Sequence, residues 1–118
     1  MSLRGQIRKG STEILILSLL VKEPMYGYQI GQELGKRSDG YFSMTAALLY
    51  PALHKLEDDG LVVSEWQDGQ GKRKRKYYTI TEAGQRALTD SAQEWRVFIA
   101  KLSIVLNDQL ASSAEGVA

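Results

Sequence analysis

The stretch ILILSLLV at residues 14–21 constrains the fold of this chain more than any other. Read as a helix over about residues 6–22, it sets Ile14, Leu15, Ile16, Leu17, Leu19, Leu20 and Val21 around almost the whole circumference, interrupted only by Ser18. A helix apolar nearly all round must be covered on more than one side. The run falls short of the roughly 18 residues a membrane span requires, so its cover has to be protein. A chain of 118 residues supports one modest core. That core covers one side, and a second subunit is the cheapest cover for the other. Pro24 ends the helix.

Residues 26–35 read as a second, weaker helix with Ile30 and Leu34 on one face. Gly27, Gly31 and Gly35 lower its propensity, so packing must hold it. KRSDGYFSM (36–44) is a loop. Thr45 is placed to cap a third helix reaching about Asp59, with Gly60 as its stop. At helical spacing Leu49, Leu53 and Leu56 share a face with Ala52, and Ala47, Tyr50, His54, Lys55 and Asp58 lie opposite. Pro51 removes a donor inside that helix at a cost of roughly 3 kcal/mol. This predicts a kink near Ala47, or a short first turn ahead of the main helix. LVVSEW (61–66) and KYYTIT (76–81) have the β-branched and aromatic content of strands. QDGQGKRKR between them is too long for a two-residue turn, so the pair predicts a hairpin with a mobile, basic tip.

Thr81 is placed to cap a last helix, with Glu82 in its favourable first turn. Leu88, Ala92, Trp95, Ile99, Leu102 and Leu106 then recur at alternating spacings of four and three, widened by Phe98 and Val105. Nothing remains in the chain to cover that seam, so it implies a partner helix and a homodimer. The pattern fades from Asp108 onward. The expected organisation is one compact domain over residues 1–81, a dimerisation helix over 82–109 and a disordered tail over 110–118.

Charge is distributed unevenly along this frame. The formal net charge is +1, yet residues 72–76 hold five of the 15 Lys and Arg in one run, KRKRK. Residues 1–66 carry −1, residues 67–81 carry +4 and residues 82–118 carry −2. With 43% hydrophobic and 25% charged residues the composition is that of an ordinary globular protein. There is no cysteine, which excludes disulfides and thiolate metal sites. With no basic region leading into an apolar stretch and cleavage site at the N-terminus, the expected location is cytoplasmic.

Three helices followed by a two-stranded hairpin make a winged helix-turn-helix. The fold expected is therefore mainly α with a small β-hairpin, followed by the long C-terminal helix. In that architecture the third helix enters the major groove of double-stranded DNA and the hairpin is the wing. Cations on a wing reach phosphates beside the groove, adding affinity without reading sequence. The expected DNA contacts are Tyr28, Thr45, Ala46, Ala47, Tyr50, His54 and Lys55 from the helices, with Lys72, Arg73, Lys74, Arg75 and Lys76 from the wing. The tyrosines behind the cations hold the wing to the body.

The residues also resemble the PadR-like transcriptional regulators in their short form, over about residues 10–106. The resemblance rests on three motifs in order: Tyr26-Gly27-Tyr28-x-Ile30, then Leu49-Tyr50-Pro51-x-Leu53-x-x-Leu56-Glu57-x-x-Gly60-Leu61, then Arg75-Lys76-Tyr77-Tyr78-x-Ile80-Thr81-x-x-Gly84. It implies a homodimeric repressor whose last helix makes the dimer contact through Leu88, Ala92, Trp95, Ile99, Leu102 and Leu106. A multidrug-binding lactococcal member is more similar still, with tryptophans at the places of Trp95 and Trp66. By that likeness, Trp95 and its symmetry mate sandwich a planar aromatic effector; helical spacing brings Leu88, Ser91, Ala92, Phe98 and Ile99 around them, with Gly10, Glu13 and Leu17 offered by the first helix. Two departures stand out. Ile99 takes the place of an acidic residue, removing an attraction for cationic drugs, and the wing carries more positive charge than is usual.

Plainer assignments compete at several of these positions. Trp95 as an aromatic on an apolar stripe is equally a core residue, and Trp66 at a strand end reads as wing packing. His54 is the sole histidine, which leaves no histidine–cysteine metal site. GQGK (69–72) lacks the phosphate-loop spacing, and Arg73 stands where a magnesium-binding Ser or Thr belongs. Glu57, Asp58 and Asp59 at a helix end read as solvated surface. No nucleophile–base pair is apparent, so neither an enzyme nor a cofactor is expected. A winged-helix module serving protein–protein assembly alone is the alternative, and it has no need of five wing cations.

Overall fold

The computed structural model of the protein describes residues 3–69, 71 and 73–111, with side-chain surroundings given from residue 11 onward. Along the chain run α1 (Leu3–Leu20), β1 (Met25–Tyr26), α2 (Gly27–Arg37), α3 (Ala46–Asp58), β2 (Val62–Asp68), β3 (Lys74–Ile80) and α4 (Glu82–Val105). After a turn at Leu106, residues 107–111 are again helical, two residues into the segment expected to be a tail; the remainder of that segment lies outside the described residues. The chain divides into two compact units, Met1–Leu88 and Thr89–Ala118.

In the first unit, Ile16, Leu17, Leu19 and Leu20 of α1 meet Ile30 and Leu34 of α2, the Leu49, Leu53 and Leu56 face of α3, and Met25, Val62 and Tyr78 of the sheet. The expectation that one subunit covers only one side of the 14–21 run is corrected here. α1 packs against α2, α3 and β3 together. Ile14 and Leu15 are left half-buried, and Val21, past the helix end, is the one member more than a third exposed.

The sheet has three strands, not two, in the order β1-β3-β2 with both pairings antiparallel. Met25 and Tyr26 pair with Tyr78 and Tyr77, a two-residue strand too short to leave a periodic signal. The hairpin is also longer than expected. β2 and β3 remain paired out to Asp68 opposite Lys74, so Gln67, Asp68, Lys74 and Arg75 belong to strands rather than to the loop.

Pro51 lies inside α3 without dividing it: Ala46–Asp58 is one helix. The helix closes through Gly60 at φ 75°, whose N–H donates to the Glu57 carbonyl, while the Leu61 N–H donates to Leu56. This is the paired-bond stop that a left-handed residue after a helix permits. α2 closes the same way, with Asp39 at φ 53° in the position glycine usually takes. Thr81 caps α4 as expected: its Oγ1 accepts from the Gly84 N–H at 3.0 Å and donates to the Gly60 carbonyl at 2.7 Å. Among the described residues, no helix is long and apolar enough to cross a membrane.

Candidate nucleic-acid interface

With Leu49, Leu53 and Leu56 turned into the core, α3 presents Ala46, Ala47, Tyr50 and His54 to solvent. Thr45 occupies the cap position in extended conformation, but its side chain makes no capping bond; the helix start is held by backbone bonds to its carbonyl. Tyr50 is seated by Gly27. A Cβ on Gly27 would lie 2.5 Å from the Tyr50 hydroxyl and 2.8 Å from the ring. The glycine that weakens α2 as a helix is what lets its first turn meet α3. Beside it Tyr28 is 66% exposed, its hydroxyl accepting from Gln32 Nε2 at 3.0 Å.

β3 divides its residues between two faces. Tyr78 and Ile80 point inward with Val62, and Arg75 and Tyr77 lie on the other side with Tyr26. There the Arg75 guanidinium sits 4.5 Å from the centre of the Tyr26 ring, and the Tyr26 and Tyr77 rings meet edge to face at 5.4 Å. The cation and two aromatic rings form a stack that ties the base of the wing to β1. At the tip, Gly71 turns at φ 75° and the Gly69 N–H donates to the Arg73 carbonyl at 2.7 Å. Arg73 and Lys74 are exposed.

A cleft of about 410 Å³ opens between α3 and the wing, lined by Tyr26, Gly27, Tyr28, Tyr50, His54, Trp66, Lys74, Arg75, Lys76 and Tyr78. Expected contacts from all three elements meet there. A smaller hollow of about 280 Å³ between the starts of α2 and α3 includes Tyr28, Ala46 and Tyr50. Tyr78 is buried behind the cleft. Burial, then the charge of Glu57, raises its phenol above the ordinary value of 10.0, so it stays neutral and acts as packing.

Two of the expected contacts stand beside acidic partners. Lys55 is turned along α3 to Asp59 at 3.1 Å and across to Glu13 at 3.4 Å. The hydrogen bond to Asp59 and the charge of Glu13 raise its ammonium above the ordinary range, so it is a paired cation rather than a free one. Lys76 lies on the inward face, with Glu57 3.9 Å away. Lys72 falls outside the described residues. Trp66 is corrected in the opposite direction: it is 64% exposed, not packed. Period-two alternation from Val62 places it on the body-facing side, yet most of the indole stays open, with the Lys76 ammonium 5.9 Å from its ring centre.

The residues expected around an effector are spread over the chain. Trp95 is half-buried and meets Phe98 edge to face at 5.7 Å, and Ser91 is also half-buried. Ala92, Ile99, Leu102 and Leu106 are exposed in the single chain. Leu88 packs against the core, and Leu17 is 3% exposed within it, so neither has much surface to offer. Glu13 is held by Lys55, and the surroundings of Gly10 fall outside the described residues. No group of three His, Asp or Glu among the described residues is arranged to hold a metal ion.

The family profile described as "Transcriptional regulator PadR-like family" matches residues 16–90. An uncharacterised protein from Lysinibacillus sphaericus is 34% identical over 78% of this chain and 84% of its own length. Transcriptional regulator Rv3488 of Mycobacterium tuberculosis is 34% identical over 72% of this chain and 76% of its own. The negative transcriptional regulator PadR of Bacillus subtilis is 32% identical over 64% of this chain, which spans 41% of that longer protein. Among solved structures, a PadR family transcriptional regulator from Eggerthella lenta superposes with a TM-score of 0.75 at 36% identity, over 86% of each chain. A transcriptional regulator from Clostridium thermocellum gives 0.78 at 26% identity, over 87% of this chain and 95% of its own. The profile match runs from the end of α1 through α2, α3 and the wing, and the chain belongs to the PadR-like family of transcriptional regulators.

Proposed function

We propose that the protein is a cytoplasmic, DNA-binding transcriptional repressor acting as a homodimer, in which residues 1–81 bind DNA and residues 82–109 pair the subunits. The observation that carries DNA binding is the cleft where the exposed face of α3 meets the wing cations. Ala46, Ala47, Tyr50 and His54 are the groove-facing set, and Arg73, Lys74 and Arg75 supply backbone contacts. Small side chains at Ala46 and Ala47 suit close approach to base edges, and alanine makes apolar contact with the thymine methyl. Two-fold pairing would present two such helices to a pseudo-palindromic duplex, with half-sites about one helical turn, roughly 34–36 Å, apart.

Pairing is supported by the exposed apolar residues of α4 and the turn after it, among them Phe98, Ile99, Leu102 and Leu106. A planar aromatic effector at the Trp95 pair is the finer part of the proposal, supported by the half-buried indole beside Phe98 and the small residues Ser91 and Ala92. The direct test is selection of bound duplexes from a random DNA pool, repeated with flat aromatic compounds present. A two-fold-related consensus whose recovery falls with the compound is the expected result. Recovery of no duplex above background favours the protein-assembly alternative.

A further inference from the structure

The wing cations are unequal in a way their sequence does not show. Arg73 and Lys74 are exposed, and Arg75 stacks on Tyr26. Lys76 is different. Its ammonium lies 3.9 Å from Glu57 Oε1 and between two rings, 5.9 Å from the centre of Trp66 and 5.8 Å from that of Tyr78, with only 32% of the side chain exposed. The other oxygen of the same carboxylate accepts a short hydrogen bond from Ser64 Oγ. Glu57 belongs to α3, Ser64 to β2 and Lys76 to β3. A single carboxylate therefore ties the groove-facing helix to both strands of the wing, at register positions that share its inward face. Lys76 nonetheless lines the cleft beside Tyr50, His54 and Lys74, within reach of a phosphate were it released.

We propose that Glu57 is a positioning residue that withholds Lys76 from the DNA backbone and holds the wing against α3, so that fewer cations act on DNA than the run contains. This rests on the DNA-binding function proposed above. A cation that contacts phosphate releases counterions and steepens the salt dependence by about 0.9 per contact. Lys76 is opposed by a carboxylate at fixed distance and contributes no such step. Replacing Glu57 with Gln keeps the shape and an oxygen for Ser64 but removes the charge, which frees the ammonium for phosphate. The inference predicts that losing a negative charge adds one contact per subunit, while losing Lys76 removes none.

The experiment measures binding to a mixed-sequence duplex across a salt series for the unaltered chain and for Lys74→Ala, Lys76→Met, Glu57→Gln and the Glu57→Gln/Lys76→Met pair. Lys76→Met should keep the parent slope, whereas Lys74→Ala should flatten it. Glu57→Gln should steepen the slope by about 0.9 per subunit, or roughly threefold in affinity between 50 and 200 mM salt per contact, and the pair should return to the parent. A slope for Lys76→Met that falls as Lys74→Ala falls overturns the proposal, as does a Glu57→Gln slope equal to the parent's. A second readout needs no DNA. In a Trp95→Phe background, Glu57→Gln and Lys76→Met should each shift Trp66 emission, and the pair should shift it no further than one alone. Unchanged Trp66 emission in Glu57→Gln overturns the latch by itself, even if the parent binds no duplex and the DNA-binding function fails.

Discussion

Gly84 sits in the first turn of α4 against the Leu61 carbonyl oxygen, so close that a Cβ would collide with it and would come within 2.7 Å of Ile80 Cγ1. Leu61 also accepts the Thr81 N–H, so the carbonyl has little freedom to move aside. Gly84→Ala should therefore destabilise the first unit by at least about 2 kcal/mol despite alanine's better helix propensity, measurable as a lowered denaturant midpoint. A neutral outcome would mean that the start of α4 shifts freely. Tyr78 gives a second residue-scale prediction. Its phenol titrates higher folded than unfolded, so the stability it contributes is fully present below pH 10 and is lost as pH rises through the folded value. Lys55 acts in the same direction through Asp59 and Glu13. Tyr78→Phe should lose less stability than the parent between pH 9 and pH 11; equal losses would remove Tyr78 as a cause. Neither role is legible in the sequence. Gly84 stands there as part of a motif, and a tyrosine behind a cation run says only that something packs.

At the scale of elements, periodicity served α3 well because one face is fully buried and the other open. Leu49, Leu53 and Leu56 disappear into the core and Tyr50 and His54 do not. It served the wing less well. Glycines and like charges obscured the strand ends, yet the antiparallel ladder carries Gln67 and Asp68 against Arg75 and Lys74. β1 depends on tertiary pairing rather than on its own two residues. Trp66 is exposed rather than packed because alternation assigns a face without saying how far the body underneath extends. These placements predict a graded wing. Arg73→Ala and Lys74→Ala should weaken all duplexes alike and lower the salt slope by about one per lost contact in each subunit. Changes at Ala47 or His54 should instead alter which duplex is preferred. A salt slope left intact by the wing alanines would contradict the assignment.

For the molecule as a whole, the spacing expected to leave a seam uncovered over residues 88–106 holds at its far end, with Ile99 at 56%, Leu102 at 45% and Leu106 at 39% exposure, while Leu88 packs against the core. Leu102→Glu should cost the isolated subunit little and the proposed pairing much, yielding folded monomers in sedimentation at micromolar concentration. Dimers that persist would place the contact elsewhere. Trp95 carries the effector prediction. A flat dye should quench tryptophan emission in the parent and lose that affinity in Trp95→Ala, with Trp66 as the remaining fluorophore. Equal quenching and affinity in both would leave Trp95 as packing only.

The enclosure of Ile16, Leu17, Leu19 and Leu20 within their own chain bears on molecularity. An apolar helix waiting for a partner would make folding a two-body event, with a midpoint that rises with protein concentration. Here Ile16, Leu19 and Leu20 are at most 2% exposed without any partner, so the winged-helix unit closes its core alone. Folding of that unit is then a first-order process, and association can follow it as a separate step. In a Trp95→Phe chain, the unfolding transition seen by Trp66 should hold its midpoint across a hundredfold range of concentration. Differently tagged copies, once folded, should exchange partners on mixing without passing through an unfolded state.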